Sequence, residues 1–266
     1  NKGFVKWLLI GVSVIFLLIM LVLPLVYVIY TALREGWRVF VSSVTDEYAV
    51  KSILLTVKVT VITVIINSVF GIFAAWLITR FKFRGKKIIS TLIDLPLTIS
   101  PIIAGLIFVL TFGRQSAIYP FLEKWGIQII FAVPGIVLAT IFVTFPFISR
   151  EIIPVLTVKG SDEEEAAALM GANGFQIFTQ ITFPHIKWAF LYGVVLCSAR
   201  AMGEFGAVSV LSGHLRGITN TMPLYIELLY QAFDFTGAFA MSAILVVMAL
   251  VILVLKNIFE RGIRVK

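Results

Sequence analysis

The sequence predicts an all-α membrane protein with six transmembrane helices, and three observations predict it. Hydrophobic residues make up 60% of the chain and charged residues only 14%, a balance foreign to a soluble domain of this length. Apolar runs of about 20 residues, enough to cross about 30 Å of hydrocarbon, recur along the chain. The alternating segments of about 10 residues that a membrane β-barrel needs are absent from it.

The first span covers residues 4–33, where Pro24 can kink the outer part. A polar segment with Glu35, Arg38, Asp46 and Glu47 follows. The second span occupies 59–79, and the preceding 50–58 continues as helix in the interface, because Lys51 and Lys58 are costly at depth. A short basic loop carries Arg80, Lys82, Arg84, Lys86 and Lys87. The third span, 88–112, contains Pro96 and Pro101, so it is expected to be broken or kinked. The fourth covers 129–149, the fifth 188–211 and the sixth 237–255, with the loop 150–187 between the fourth and fifth. Together they make one transmembrane domain over 1–266.

Several function classes drop out. The net charge of +8 does not read as nucleic-acid binding, because the cations sit beside spans rather than along one exposed face. Cys197 is the single cysteine, so no disulfide framework exists. The apolar run after Lys2 and Lys6 is too long for a signal peptide and lacks a small-residue cleavage site. His185 and His214 fall on opposite sides of the membrane, and neither has a cluster of metal ligands. No catalytic triad or carboxylate pair is visible. Arg84-Gly85-Lys86-Lys87 lacks the spacing of a phosphate-binding loop, so the chain is expected to be no enzyme and to hydrolyse no ATP alone. No internal repeat supports a paired-repeat secondary transporter.

Six spans put both ends on one side. Placing the basic loop, the 150–187 loop and both tails in the cytoplasm gives fourteen lysines and arginines inside against six outside, the expected bias. The tail contributes Lys256, Arg261, Arg264 and Lys266 to that side.

The 150–187 loop carries Ser161-Asp162-Glu163-Glu164-Glu165, then Ala166-Ala167-Ala168-Leu169-Met170-Gly171. Ser161 followed three residues later by Glu164 reads as a capping box. The acids fall in the first turn, where the helix dipole favours them, and Gly171 with Gly174 can end the helix. The result is a short capped helix with a small-residue face.

Glu165-Ala166-Ala167, then Gly171, Ile181 and Phe183-Pro184, resembles the signature loop of bacterial ABC importer permeases, with Phe183 where a leucine is usual. In that family the loop is a coupling helix that docks on the ATPase subunit. Leu95 to Gly105 and Arg200 to Ala207 resemble the permeases of tetrahedral-oxyanion importers. Ser212 to Leu224, with Ile226-Glu227-Leu228-Leu229-Tyr230, is similar to W-type subunits of sulfate/thiosulfate importers, in the molybdate/sulfate type I permease family. The resemblance implies the type I importer permease fold with both termini cytoplasmic, in the bacterial inner membrane. It implies a pseudo-twofold heterodimer with a second, T- or U-type permease, two ATPase subunits carrying ATP and magnesium, and an extracytoplasmic sulfate-binding protein. The chain itself is expected to bind no cofactor and no metal. Its partners besides lipid are these proteins, and no nucleic acid is among them. Sulfate import by alternating access is the implied function; a molybdate/tungstate permease or an ion-coupled anion transporter are the alternatives.

Three constellations follow. Glu164, Glu165, Ala166, Ala167 and Gly171 are the ATPase-coupling residues under this resemblance. Arg200 and Glu204 share one helix face at i and i+4; they either border the translocation path or form a structural pair, with Gly203 and Gly206 allowing tight packing or a hinge. Ser100, near the Pro101 kink, is a path candidate with packing as the alternative. Ser212, Gly213, Arg216, Thr219 and Asn220 form an outer turn that contacts the anion or its binding protein, or simply packs. Asp94 reads as a hydrogen-bonded structural residue rather than a proton carrier.

Overall fold

The computed structural model describes residues 2–264, and among them only helices and connecting turns occur. Helix α1 spans Gly3–Leu33, α2 Trp37–Thr45 and α3 Glu47–Arg80. The expected continuation through 50–58 holds: Lys51 and Lys58 ride on α3, one helix of 34 residues. Asp46 starts it by accepting from the Tyr48 and Ala49 amides, satisfying donors that a helix N-terminus leaves without partners.

The third span is broken, as its prolines predict. Helices α4 (Lys86–Thr98) and α5 (Pro101–Phe112) meet at 110°. Ile99, two residues ahead of Pro101, turns extended, and Ser100 leaves helical geometry at ψ 132° because a residue before proline disfavours it. Beyond a short α6 (Tyr119–Lys124) come α7 (Val133–Lys159), α8 (Asp162–Leu169) and α9 (Gly174–Met202). Then follow α10 (Gly206–Ser212), α11 (Met222–Gln231) and α12 (Phe235–Arg264). Among the described residues, five helices are long and apolar enough to span. The bent α4–α5 pair is the sixth crossing: the chain leaves the bundle end where Arg80 meets Leu156 and re-enters at the end where Ile136 packs on Val59 and Leu224.

Two helices contain a π-turn, Leu18–Val22 in α1 and Phe178–Thr182 in α9. Each ends two residues before a proline, Pro24 and Pro184. A proline inside a helix has no N–H and crowds the carbonyl four residues back; one widened turn relieves both problems.

Helix α3 is the spine. Its buried stripe runs Ser52, Thr56, Thr60, Thr63, Asn67, Gly71 and Ala75. Asn67 Nδ2 donates to Thr144 Oγ1 at 2.8 Å and to the Ile141 carbonyl at 3.3 Å, joining α3 to α7. Below it, Ala75, Ile148, Ile152, Leu156, Ile186 and Cys197 form a core shared by α3, α7 and α9. Glycines set the closest approaches. A Cβ at Gly193 would lie 3.0 Å from the Ile148 Cα, and one at Gly105 would lie 2.6 Å from the Ala207 carbonyl oxygen. Helix α1 meets α12 through the Tyr27–Phe239 ring contact at 6.0 Å and otherwise exposes an apolar surface.

Two helices depart from the expected span ends. Helix α7 continues to Lys159, past the 129–149 span, because its inward residues Ile152 and Leu156 still meet α3 and α9. Helix α9 begins at Gly174 rather than 188 and ends at Met202 rather than Leu211, where Gly203 caps it. The loop expected over 150–187 is therefore mostly helix, and only 160–173 with α8 projects from the bundle end. Of the tail cations, Lys266 lies outside the described residues.

The Gly105 contact yields a direct test. Gly105→Ala must push α5 away from α10, so thermal unfolding of the purified protein should show a loss of about 1–3 kcal/mol. Gly11→Ala, whose added Cβ meets nothing within 4 Å, should leave the transition in place.

Candidate functional site

Helix α8 has acids in its first turn, as expected, but not the expected capping box. The Ser161 hydroxyl makes no bond to the helix amides and lies 2.5 Å from Glu165 Oε1 instead, while the Ser161 carbonyl accepts the Glu165 amide at 2.9 Å. Glu164 turns inward to Arg80. Arg80 Nε and Nη2 reach its two oxygens at 2.8 and 2.9 Å, a planar fork on a carboxylate. Arg80 Nη1 also donates to the Leu156 carbonyl at 3.0 Å, and Thr182 Oγ1 donates to Glu164 Oε1 at 2.9 Å. The two charged side chains are only 11% and 14% exposed. The fork wins over a local cap because it gives the carboxylate two parallel bonds from a cation, with the Thr182 hydroxyl as a third donor, where a cap would give it a single neutral backbone N–H. A capping box does form beyond α8, where Asn173 and Gln176 bond reciprocally to start α9.

The end of α8 behaves as its residues predict. Gly171 has φ +90°, a conformation that glycine takes without penalty. The Ala172 amide reaches back to the Ala167 carbonyl and the Gly171 amide to Ala168, closing the helix C-terminus. Gly174 does not end α8; it opens α9. Glu165, Ala166 and Gly171 are exposed, and Ala167 is half-buried. Around them Leu169, Met170 and Phe175 project at 90%, 88% and 77% exposure. The element is a fixed base with an apolar tip.

At the far end of α9, Arg200 Nη1 lies 2.7 Å from Glu204 Oε2, so the i, i+4 pair forms. Glu204 is buried, and its Oε1 accepts the Ala207 amide at 2.8 Å. It stitches α9 to α10 across the Gly203–Phe205 break rather than pointing into open space. Arg200 stays one-third exposed. Gly206 packs on Pro101, where a Cβ would lie 3.0 Å from the ring, which sets the α9–α10 break against the α4–α5 break. Ser100 and Gly203 are exposed there.

The outer turn folds inward on itself. Ser212, Thr219 and Asn220 are buried. Thr219 Oγ1 donates to the Ser212 carbonyl at 2.7 Å, and Ser212 Oγ accepts the His214 amide at 3.2 Å. Gly213 takes φ +66° against Phe131. Of the five residues expected to face an anion or its binding protein, Gly213 is half-buried and Arg216 is exposed, its guanidinium 4.3 Å over the Tyr48 ring. Nearby, Tyr225 donates to Asp46 Oδ2 at 3.2 Å, and burial pushes its phenol pKa up. This turn is anchored to the start of α3.

Sequence reading missed three partnerships. Asp94 finds Arg150 at 3.5 Å, an ion pair between α4 and α7; Arg150 sits inside α7, not at the start of a loop. Arg80 was counted only as a loop cation, although it holds α8. The Ser52–Thr56–Thr60–Thr63–Asn67 stripe was unread, although its spacing of three and four residues was the available signal.

Residues 67–265 match the family described as "binding-protein-dependent transport system inner membrane component". The chain belongs to that family. The permease is 45% identical to the sulfate transport system permease protein CysW of Escherichia coli K12, over 96% of this chain and 88% of the relative. It is 45% identical to the CysW protein of Synechocystis sp. PCC 6803, over 97% and 93% of the two chains. Among solved structures, a bacterial alginate ABC transporter in complex with its pentasaccharide-bound periplasmic protein superposes with a TM-score of 0.82. That match covers 98% of this chain and 96% of the other at 20% identity, so it bears on the fold alone. The permease therefore has the all-helical importer fold and is a multi-pass inner-membrane component.

The Arg80–Glu164 fork is the testable joint. In a double-mutant cycle of Arg80→Ala and Glu164→Ala, thermal unfolding of the permease should give a coupling of about 1–3 kcal/mol. Each single variant should also speed proteolysis within 160–173. Additive variants would show the fork to be idle.

Proposed function

We propose that this permease is the W-type subunit of an ATP-driven importer that moves sulfate, and with it thiosulfate, into the cell by alternating access. The 45% identity to sulfate transport permeases over nearly the whole chain carries this reading. In it the chain pairs with a T- or U-type permease about a pseudo-twofold axis. A binding protein delivers the anion from outside, and two ATPase subunits bearing ATP and magnesium supply the work. The chain binds no cofactor and no metal of its own. Both termini and α8 face the cytoplasm, in keeping with the basic loop at that end.

The geometry gives the coupling step a physical form. The exposed Leu169, Met170 and Phe175, with Glu165, Ala166, Ala167 and Gly171, offer the surface on which an ATPase docks. Displacement of α8 passes through Glu164 to Arg80 on α3, to Leu156 on α7 and to Thr182 on α9. Three long helices then receive one push. At the other end, the breaks at Ser100 and Gly203, locked together by Gly206 on Pro101, are where tilting helices open or close a path. Arg200, partly exposed there, offsets dianion charge, while Glu204 holds it in place from inside. In the outer turn, Arg216 and the Gly213 backbone are the groups open to an anion or its binding protein; Ser212, Thr219 and Asn220 shape the turn.

Reconstituted importer, with partner permease, ATPases and binding protein, should take up labelled sulfate only with ATP, and excess molybdate should compete poorly. Molybdate uptake without sulfate uptake would refute the substrate. Uptake driven by a proton or sodium gradient with no ATPase present would refute the mechanism. Gly171→Leu forces a side chain into left-handed backbone, a strain of about 1–2 kcal/mol. It should lower uptake at least about tenfold with the protein still in the membrane and ATP still hydrolysed.

A further inference from the structure

Two cavities meet at Phe81, just past the end of α3. One is an apolar groove of about 430 Å³ along α3, lined by Phe70, Phe73, Trp76, Leu77 and Phe81, with Phe145 of α7. Phe70, Phe73 and Phe81 are about half exposed, at 58%, 59% and 49%. Their spacing puts them with Leu77 on one side of the helix, away from buried Gly71, Ala75 and Ile78. The other cavity, about 600 Å³, opens at the helix end and mixes polar with apolar lining. Arg80, Lys82 and Lys86 line it, with Thr79, Thr157 and Ser161. Glu165 is the acid on its wall, and the Ser161 hydroxyl already engages it.

The charges are unbalanced. Arg80 is satisfied by Glu164 and the Leu156 carbonyl, whereas Lys82 and Lys86 enter no ion pair among the described residues. Arg84 in the loop and Lys87 in the first turn of α4 add cations nearby. A free phosphate would account for the lysines but not for the groove. An apolar protein face would account for the groove but not for the lysines. A molecule with hydrocarbon chains and an anionic phosphate at one end accounts for both, and basic pockets at the membrane edge recognise such headgroups.

We propose that these joined cavities bind one anionic phospholipid, its acyl chains along the groove and its phosphate at Lys82 and Lys86. The headgroup then sits beside the Arg80–Glu164 fork, where it steadies the basic loop against α8. The site depends on the membrane setting alone and not on the identity of the transported anion.

The test uses the assembled importer, purified and examined by native mass spectrometry after exposure to mixed phosphatidylglycerol and phosphatidylcholine. The wild type should retain phosphatidylglycerol in preference to phosphatidylcholine. Each lysine near an anionic headgroup contributes about fivefold, so the Lys82→Glu, Lys86→Glu double variant should retain roughly thirtyfold less. Ala74→Trp, which fills the groove and leaves the lysines in place, should also expel the lipid, and the intact complex mass reports that each variant still assembles. Equal retention of both lipids by the wild type would overturn the proposal. So would unchanged retention in Ala74→Trp, or high-yield crosslinking of Phe73→Cys to the partner permease through a thiol-attached photoreactive reagent. Displacement by millimolar inorganic phosphate would reassign the pocket to free anions. Sulfate uptake by the wild type is read separately, so its loss would count against the function above and leave the lipid result standing.

Discussion

The Arg80–Glu164 fork fixes how the rest of this permease is used. It brings four elements to one point: the guanidinium at the end of α3, the carboxylate of α8, the Leu156 carbonyl of α7 and the Thr182 hydroxyl of α9. A bidentate arginine–carboxylate pair sets orientation as well as distance. Shielding from water also makes breaking it costly, because one charge would be left without its partner. A helix joined to the bundle only by loops would swing freely. This one is clamped at its base and free only at its tip.

The long helices are held by a different chemistry. Between helices in lipid, little hydrophobic gain is available, so small residues and hydroxyls carry the packing. Gly71 and Gly193 both rest on Ile148, and Asn67 ties α3 to α7. Where the chain must break, at Ile99–Ser100 and at Gly203–Phe205, Gly206 seats one break against Pro101 of the other. Motion entering at the clamped end thus meets paired hinges at the far one.

What was legible in the sequence was local. Run length and hydropathy marked the helices long enough to span, two prolines marked the broken one, and Gly171 marked the α8 terminus because its backbone angle favours glycine. What was not legible depended on partners far along the chain. Ser161 and Glu164 have capping-box spacing, but Arg80 lies 84 residues away and competes more strongly for the carboxylate. The polar run Ser212 to Asn220 looks solvent-facing by composition, yet its hydroxyls close onto its own backbone. Helices run past the expected span ends where polarity and helicity disagree: 150–159 carries charge but continues α7, because its inward side is still apolar.

The widened turn at Phe178–Thr182 carries a further consequence. A π-turn holds one residue more than the α-helical period needs, so it rotates everything before it by about 100° relative to a straight helix. In α9 that offset sets the azimuth at which Gly174 leaves the bundle and hence the heading of the loop back to α8. Such a turn works as a register shim. Whether Thr182 points at Glu164 or away from it is settled by a single extra residue, and chain length inside one helix thereby tunes the fit of a joint made by two side chains and a backbone carbonyl on three others.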